Sequence, residues 1–223
     1  MRRNQAQQHH QQLTRNSTSR KDTWIAVHVS VDHIVLPHTD LNFAAQLVAN
    51  VTGIAPSGGG SHHTAGTRNI IFPLGASYLE LVTVDDHIVA AGHPFGQLVT
   101  AALDSCRWAA GWAVAGPTDP VRACTLERAG VAVSVQGCDE AAAAPDRPFI
   151  LERPSDQPFP GDTENPTELT RLVVTGPDVA PLALPPGPTE LVRRPGPAAI
   201  ESFTLARPGL PPITLNRDLW STR

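Results

Sequence analysis

"SVDHIVLPHTDL", residues 30–41, is the stretch whose reading decides the fold. Val31, Ile34, Val35 and Leu36 favour a strand. Thr39 and Asp40 then supply the cap of a helix. One histidine, His33, interrupts the apolar run. A titratable ring on a segment built for burial needs a partner, and a metal site is the reading it suggests.

Working outward, residues 24–36 are β-favouring throughout, with Trp24, Ile25, Val27 and Val29 ahead of the quoted stretch. Downstream, Ala44, Leu47, Val48 and Val51 fall at helical spacing, and Gly53 ends the helix. "SGGGSHHTAG", residues 57–66, reads as a flexible loop. "TRNIIFPLG" and "SYLELVTV" follow as two strands with a turn at Gly75 and Ala76. The opening then recurs. "GWAVAGPTDP", residues 111–120, lies over "DHIVLPHTDL", residues 32–41, and predicts a second helix over 120–129, ended by Gly130. "RPFILERP", residues 147–154, mirrors "SYLELVTV", with Glu152 in the place of Glu80. A fainter third copy, "TRLVVTGPDV", begins at Thr170. Such self-similarity points to paired modules.

At "DHIVL…TDL" (32–41), "GGGSHHTAGTRN" (58–69), "YLEL" (78–81), "GWAVAGPTD" (111–119) and "PFILER" (148–153), the chain resembles the glyoxalase-like branch of the vicinal oxygen chelate superfamily. The resemblance covers roughly residues 30–153. It implies an α+β fold in which paired βαβββ modules form a curved, cleft-like mixed sheet. In metal-using members, side chains from the first and last strands of each module bind one divalent ion. Carried onto this chain, the first module offers His33 and Glu80 and the second offers Glu152. The remaining position aligns with Trp112, which has no metal donor. The link from Gly130 to Arg147 has room for little more than one strand, so the second module is expected to be shortened.

The expected organisation is therefore a disordered polar tail (1–23), a first module (24–104) and a shortened second module (105–160). A proline-rich strand-and-loop extension follows (161–223), readable as a third half-module or as a dimer arm. Sixteen of the 22 prolines fall at or after Pro145, which argues for irregular backbone there. "SFTLARPG" and "PITL" read as two short strands around a Pro-Gly turn, and Arg193 and Arg194 as solvated charges.

His33, Glu80 and Glu152 converging on one concavity would suit Zn, Mn, Fe or Mg. Three protein ligands leave positions open for substrate, the arrangement of a catalytic ion. Glu80 and Glu152 are then candidate bases, in a lyase or isomerase acting on a small oxygenated metabolite. Glu80 lies between Leu79 and Leu81, so it points opposite to them. Arg68 and Asn69 are candidates to hold a substrate carboxylate. His62 and His63, in the glycine-rich loop, are candidates for a lid or a donor over the cleft, with His63 also a candidate substrate contact, and Trp112 is a candidate wall of the second half-cleft. The alternative is a binding protein of the same fold that has lost its metal, and Trp112 motivates it.

Composition excludes other classes. The net charge of -4 and 17% charged residues give no basic face for nucleic acid. No apolar run approaches the roughly 20 residues of a membrane span. The three cysteines form no CxxC pair, which suits a reducing, cytoplasmic setting. The expected partners are a small molecule and, through the C-terminal extension, a second copy of the chain in a homodimer.

Overall fold

The computed structural model describes residues 24–220, apart from 129 and 165. The expected polar tail, 1–23, lies outside the described residues. The β-favouring stretch 24–36 divides in two. Strand β1 (Ile25–Val29) leaves for a separate sheet, and β2 (His33–Pro37) starts the first module.

β2 leads into helix α1 (Leu41–Thr52). Asp40 caps it, accepting from the Phe43 amide at 3.0 Å, and Gly53 ends it at φ 68°, a left-handed conformation suited to glycine. Strands β3 (Gly58–His62), β4 (Thr67–Pro73) and β5 (Tyr78–Val84) complete the module. The glycine-rich stretch is thus an ordered edge strand rather than a loop. It pairs antiparallel with β4, Gly60 against Asn69 and His62 against Thr67.

Helices α2 (His87–Ala91) and α3 (Pro94–Asp104) lead to β6 (Gly111–Ala115). The second module then departs from expectation. No helix follows the Thr118–Asp119 cap. Asp119 closes a turn, accepting from the Val121 amide at 2.9 Å, and the chain continues as β7 (Cys124–Arg128). Strand β8 (Val131–Gln136), helix α4 (Cys138–Ala143) and β9 (Phe149–Glu152) follow. The physical reason is periodicity: Leu126 is buried while Thr125 and Glu127 are exposed, the alternation of a half-buried strand. The module is shortened by its helix and keeps its four strands.

These strands form one eight-stranded sheet in the order β3-β4-β5-β2-β6-β9-β8-β7. The two halves mirror each other about the antiparallel β2–β6 pair. The sheet curls until its edges approach. Thr64 donates to the Thr125 carbonyl at 3.3 Å, and His93 Nε2 meets the same carbonyl at 3.1 Å.

Strands β10 (Glu168–Gly176), β11 (Thr189–Pro195), β12 (Ala199–Ala206) and β13 (Ile213–Asn216) join β1 in a five-stranded sheet, order β1-β11-β10-β12-β13. β12 and β13 form the expected hairpin. This sheet packs on its own chain: Leu172, Leu191 and Phe203 share a core with Ile34, Leu79 and Trp112 on the convex face of the large sheet. Each such side chain, removed from water, stabilises the fold by roughly 1.5–3 kcal/mol. On the concave face, Val35, Val82, Ala113 and Leu151 pack against Phe95, Leu98 and Val99 of α3. Helix α3 fills one end of the hollow and leaves the other open. Arg193 is not solvated: it is buried and pairs with buried Asp146 at 3.0 Å, whereas Arg194 is exposed and pairs with Glu201.

Candidate functional site

The open end of the hollow is a cavity of about 410 Å³. Strand alternation sends His33 of β2, Glu80 of β5, Asn69 of β4 and His62 of β3 into it. All four are buried. The second module adds Leu126, Arg128, Phe149 and Leu151, and Arg153 follows β9. Phe159, on the link to β10, roofs the cavity, packing on Tyr78 and on the Arg153 guanidinium.

A chain of contacts fixes these groups. Asp32 accepts from His33 Nδ1 at 2.7 Å, so Nε2 of the ring is turned to the cavity. Among the described residues that Nε2 has no hydrogen-bond partner, and it lies 3.4 Å from Glu80 Oε2. The other oxygen of Glu80 accepts from the Asn69 amide at 2.6 Å. His62 Nε2 stands 3.8 Å from that oxygen, and its Nδ1 meets Thr67 Oγ1 at 3.0 Å. Arg153 donates to both oxygens of Asp32, at 3.1 and 3.4 Å, and to the Tyr78 hydroxyl at 3.4 Å. Tyr78 stacks on His33 with ring centres 4.6 Å apart.

Charge states follow from this packing. Burial alone would raise the Asp32 carboxyl, but the bonds from His33 and Arg153 outweigh it and hold it below the usual range. Burial pushes the His62 ring down, against the pull of Glu80, so it stays neutral at physiological pH. Burial, with Asp32 and Glu80 nearby, pushes the Tyr78 hydroxyl up, so it stays protonated.

His33, Glu80 and Asn69 come together. Four other expected site residues do not. Glu152 is exposed on the outer side of β9, where Thr118 donates to it through its backbone and hydroxyl, both at 2.8 Å. Those bonds hold its carboxyl below the usual range. Trp112 is fully buried in the core between the sheets, on the opposite face from the cavity. Arg68 points outward and pairs with Asp85 at 3.2 Å, and His63 is exposed in the turn after β3. Arg68 and His63 each neighbour the residue that does face inward, Asn69 and His62. In a strand, one position is the difference between the two faces.

A family model described as a glyoxalase-like domain matches residues 31–184. The chain belongs to this glyoxalase-like domain family. No curated protein matches the chain. Among solved structures, a hypothetical protein from Staphylococcus aureus aligns at a TM-score of 0.56 and 13% identity, over 82% of this chain and 98% of that one. That likeness is one of fold. A Streptomyces coelicolor methylmalonyl-CoA epimerase in complex with 2-nitronate-propionyl-CoA aligns at 0.43 and 11% identity, over 59% of this chain and 99% of its own. A Mycobacterium tuberculosis methylmalonyl-CoA epimerase aligns at 0.38 and 15% identity, over 57% and 89%.

The strand registers show what a glyoxalase-like metal site would require here. In the first module His33 stands opposite Tyr78 of β5, and Glu80 lies two residues further along. In the second, Ala113 stands opposite Phe149 of β9, and Leu151 lies two residues further along. Ala113 also pairs with His33 across the centre of the sheet. The counterparts of His33 and Glu80 are therefore Ala113 and Leu151, not Trp112 and Glu152. Neither has a donor atom. Among the described residues, no group of three His, Cys, Asp or Glu side chains is placed to hold an ion. A catalytic divalent ion ordinarily takes three protein ligands. His33 and Glu80 face each other as a pair, while the His62 ring is held by Thr67 and Asn69 and does not join them as a third ligand, so the residues present do not fit a resident metal.

Residues not assigned from the sequence complete the site: Asp32, Tyr78, Arg128 and Arg153. Asp32 had a legible signal, a carboxylate directly before the histidine of the motif. Which of His62 and His63 faces inward had a weaker signal, the even spacing of His62 from Gly58 and Gly60 along one strand face.

Proposed function

We propose that this glyoxalase-like protein is a lyase or isomerase that moves a proton on a small oxygenated molecule, with Glu80 as the base and no resident metal ion. One observation carries the reading. Glu80, 3% exposed, is held at one oxygen by Asn69, while its other oxygen faces the unpartnered Nε2 of His33 across 3.4 Å of cavity.

Two facing basic atoms at that spacing call for a proton or a donor between them. Glu80 Oε2 takes the proton of a carbon beside a carbonyl, and the bonding pair moves to the carbonyl oxygen. His33, when it carries a proton on Nε2, donates to that oxygen. Asp32 supports the ring from behind, as in other carboxylate-backed histidines. On a hydroxyketone, return of the proton from Glu80 to the former carbonyl carbon, while the remaining enediol hydroxyl gives its proton to His33 and becomes the new carbonyl, gives an isomerase. Departure of a β-substituent instead gives a lyase. The three free cysteines support a reducing, cytoplasmic setting, and no described helix is long and apolar enough to cross a membrane.

The test is hydrogen exchange in deuterated water, followed by proton NMR on a panel of hydroxyketones, 2-oxo acids and 2-hydroxy acids. Wild-type protein exchanges the proton beside the carbonyl of at least one compound, with or without EDTA, and Glu80→Gln does not. Exchange that EDTA abolishes and a divalent ion restores would sink the metal-free reading. A second reading, a binding protein without chemistry, is favoured by Ala113 and Leu151 at the donor positions. Saturable binding with no exchange on the whole panel would decide for it.

A further inference from the structure

The geometry points to Arg128 as the group that receives a carboxylate, which makes the ligand of this cavity a small carboxylic acid with an apolar tail. The inference rests on the cavity being a substrate site, as argued above, but not on the proton transfer.

Two guanidinium groups reach the cavity. Arg153 is committed: it forks onto Asp32, bonds Tyr78 and stacks on Phe159. Arg128 is not. Among the described residues it forms no ion pair within 4 Å, and its one hydrogen bond is a long one, 3.4 Å, to Asn69 Oδ1. That oxygen already accepts from the Gly60 amide at 3.0 Å. Arg128 thus keeps most of its donors for something else.

Its position is built. The side chain crosses from the edge of the second module to the first and lies in the slot left by Gly60. A Cβ on Gly60 would stand 3.2 Å from Arg128 Cγ. Asn69 sits between Arg128 and Glu80, accepting from one and donating to the other, so the two charges are held apart instead of closing on each other. A carboxylate on Arg128 would therefore occupy the same cavity that Glu80 lines. The walls beyond, Leu126, Val131, Val133 and Leu151, are apolar and suit a short hydrocarbon tail. A guanidinium recognises a carboxylate through two parallel N–H bonds, which an amide cannot match.

Thermal melting at fixed ionic strength, with propionate, lactate and 2-oxobutyrate against the matching amides, tests this. The acids raise Tm saturably and the amides do not. Arg128→Gln weakens binding at least about 10-fold, and Arg128→Lys falls between. Glu80→Gln still binds the acids while losing hydrogen exchange, so a failed chemistry and a failed carboxylate site give different results. Equal shifts from acids and amides overturn the inference. So does Arg128→Gln binding as wild type does. If Arg128→Gln does not melt cooperatively, Arg128→Lys decides: unchanged affinity for the acids overturns the inference, and a loss supports it.

Discussion

Asp32 and Arg153 are 121 residues apart in the chain, yet Arg153 Nη1 closes on Asp32 Oδ2 at 3.1 Å. The pair ties the start of the first module to the end of the second, directly behind His33. Asp32 is almost wholly buried and Arg153 mostly so. Removing the cation leaves a buried carboxylate with only the imidazole beside it. We expect Arg153→Met to lower stability by about 3 kcal/mol, the lower end for a broken buried pair because Arg153 keeps some contact with water. The pH dependence has a definite sign. The folded carboxyl lies below its ordinary value of 3.8, so its stabilising effect is complete above that value. It is lost as pH falls through the lowered folded value. Urea unfolding of wild type and Arg153→Met between about pH 2 and about pH 6 checks this, and the variant shows the shallower acid limb.

Glu80 and Glu152 separate a buried base from a surface cap. Glu80→Gln removes the acceptor in the cavity and is expected to slow hydrogen exchange by at least about 100-fold. Glu152→Gln keeps an acceptor for Thr118 and changes neither exchange nor ligand binding. Equal losses in the two variants, measured by NMR exchange on the same compound, would return Glu152 to the site.

The first module was legible because its signals agree. Asp40 and Gly53 mark both ends of α1, and Leu79 and Leu81 flank Glu80 in strict alternation. The second misleads because the Thr118–Asp119 pair has the chemistry of a cap and serves only a turn. Tertiary packing supplies the difference, since the five-stranded sheet shares the convex-face core with Trp112 and Val114. The repeat itself was readable, but its register was off by one residue. That slip placed Trp112 and Glu152 at the site and hid Ala113 and Leu151, which look like ordinary core residues. Arg128 and Arg153 had no local signal, because only the curl of the sheet brings them to the first module.

His62 should leave a mark on stability at mildly acid pH. Burial lowers its folded value from the ordinary 6.5, so the unfolded chain binds the proton more readily. Stability therefore rises with pH up to about 6.5 and is flat above it. His93 acts in the same direction, its ring also pushed down by burial. We expect His62→Gln to reduce the slope of Tm against pH between about pH 5 and about pH 7.5 without abolishing it. An unchanged slope would mean that the ring is wetter than its packing shows.

Asp146 and Arg193 join the second module to the five-stranded sheet through a buried pair at 3.0 Å. Arg193 also donates to the Asp178 carbonyl at 2.8 Å and to the Ala180 carbonyl. Asp146→Ala leaves that cation uncompensated and is expected to cost roughly 3–5 kcal/mol. The double variant Asp146→Leu with Arg193→Met should recover much of the loss, because neither charge then remains buried. A double-mutant cycle from urea unfolding measures the coupling, and additive effects would show that the pair does not hold the two sheets together.

Leu151 tests the register of the two modules most directly. It faces the cavity with His33 and Glu80 and stands in the second module where Glu80 stands in the first. On that equivalence, what the site is short of for a metal is a donor atom, not space. Leu151→Glu then supplies a third ligand. The apo variant should melt below wild type, since the new carboxylate is buried without a partner. Zinc should raise its Tm steeply, because an ion bound only by the folded state stabilises by mass action. Elemental analysis should find close to one zinc per chain in the variant and far less in wild type. Glu80→Gln in the same background should reverse the gain. A variant that takes up no zinc would show that Leu151 is not the counterpart of Glu80. Wild-type protein that retains a full equivalent would show that the two-donor pair suffices, and the metal-free chemistry would have to be abandoned.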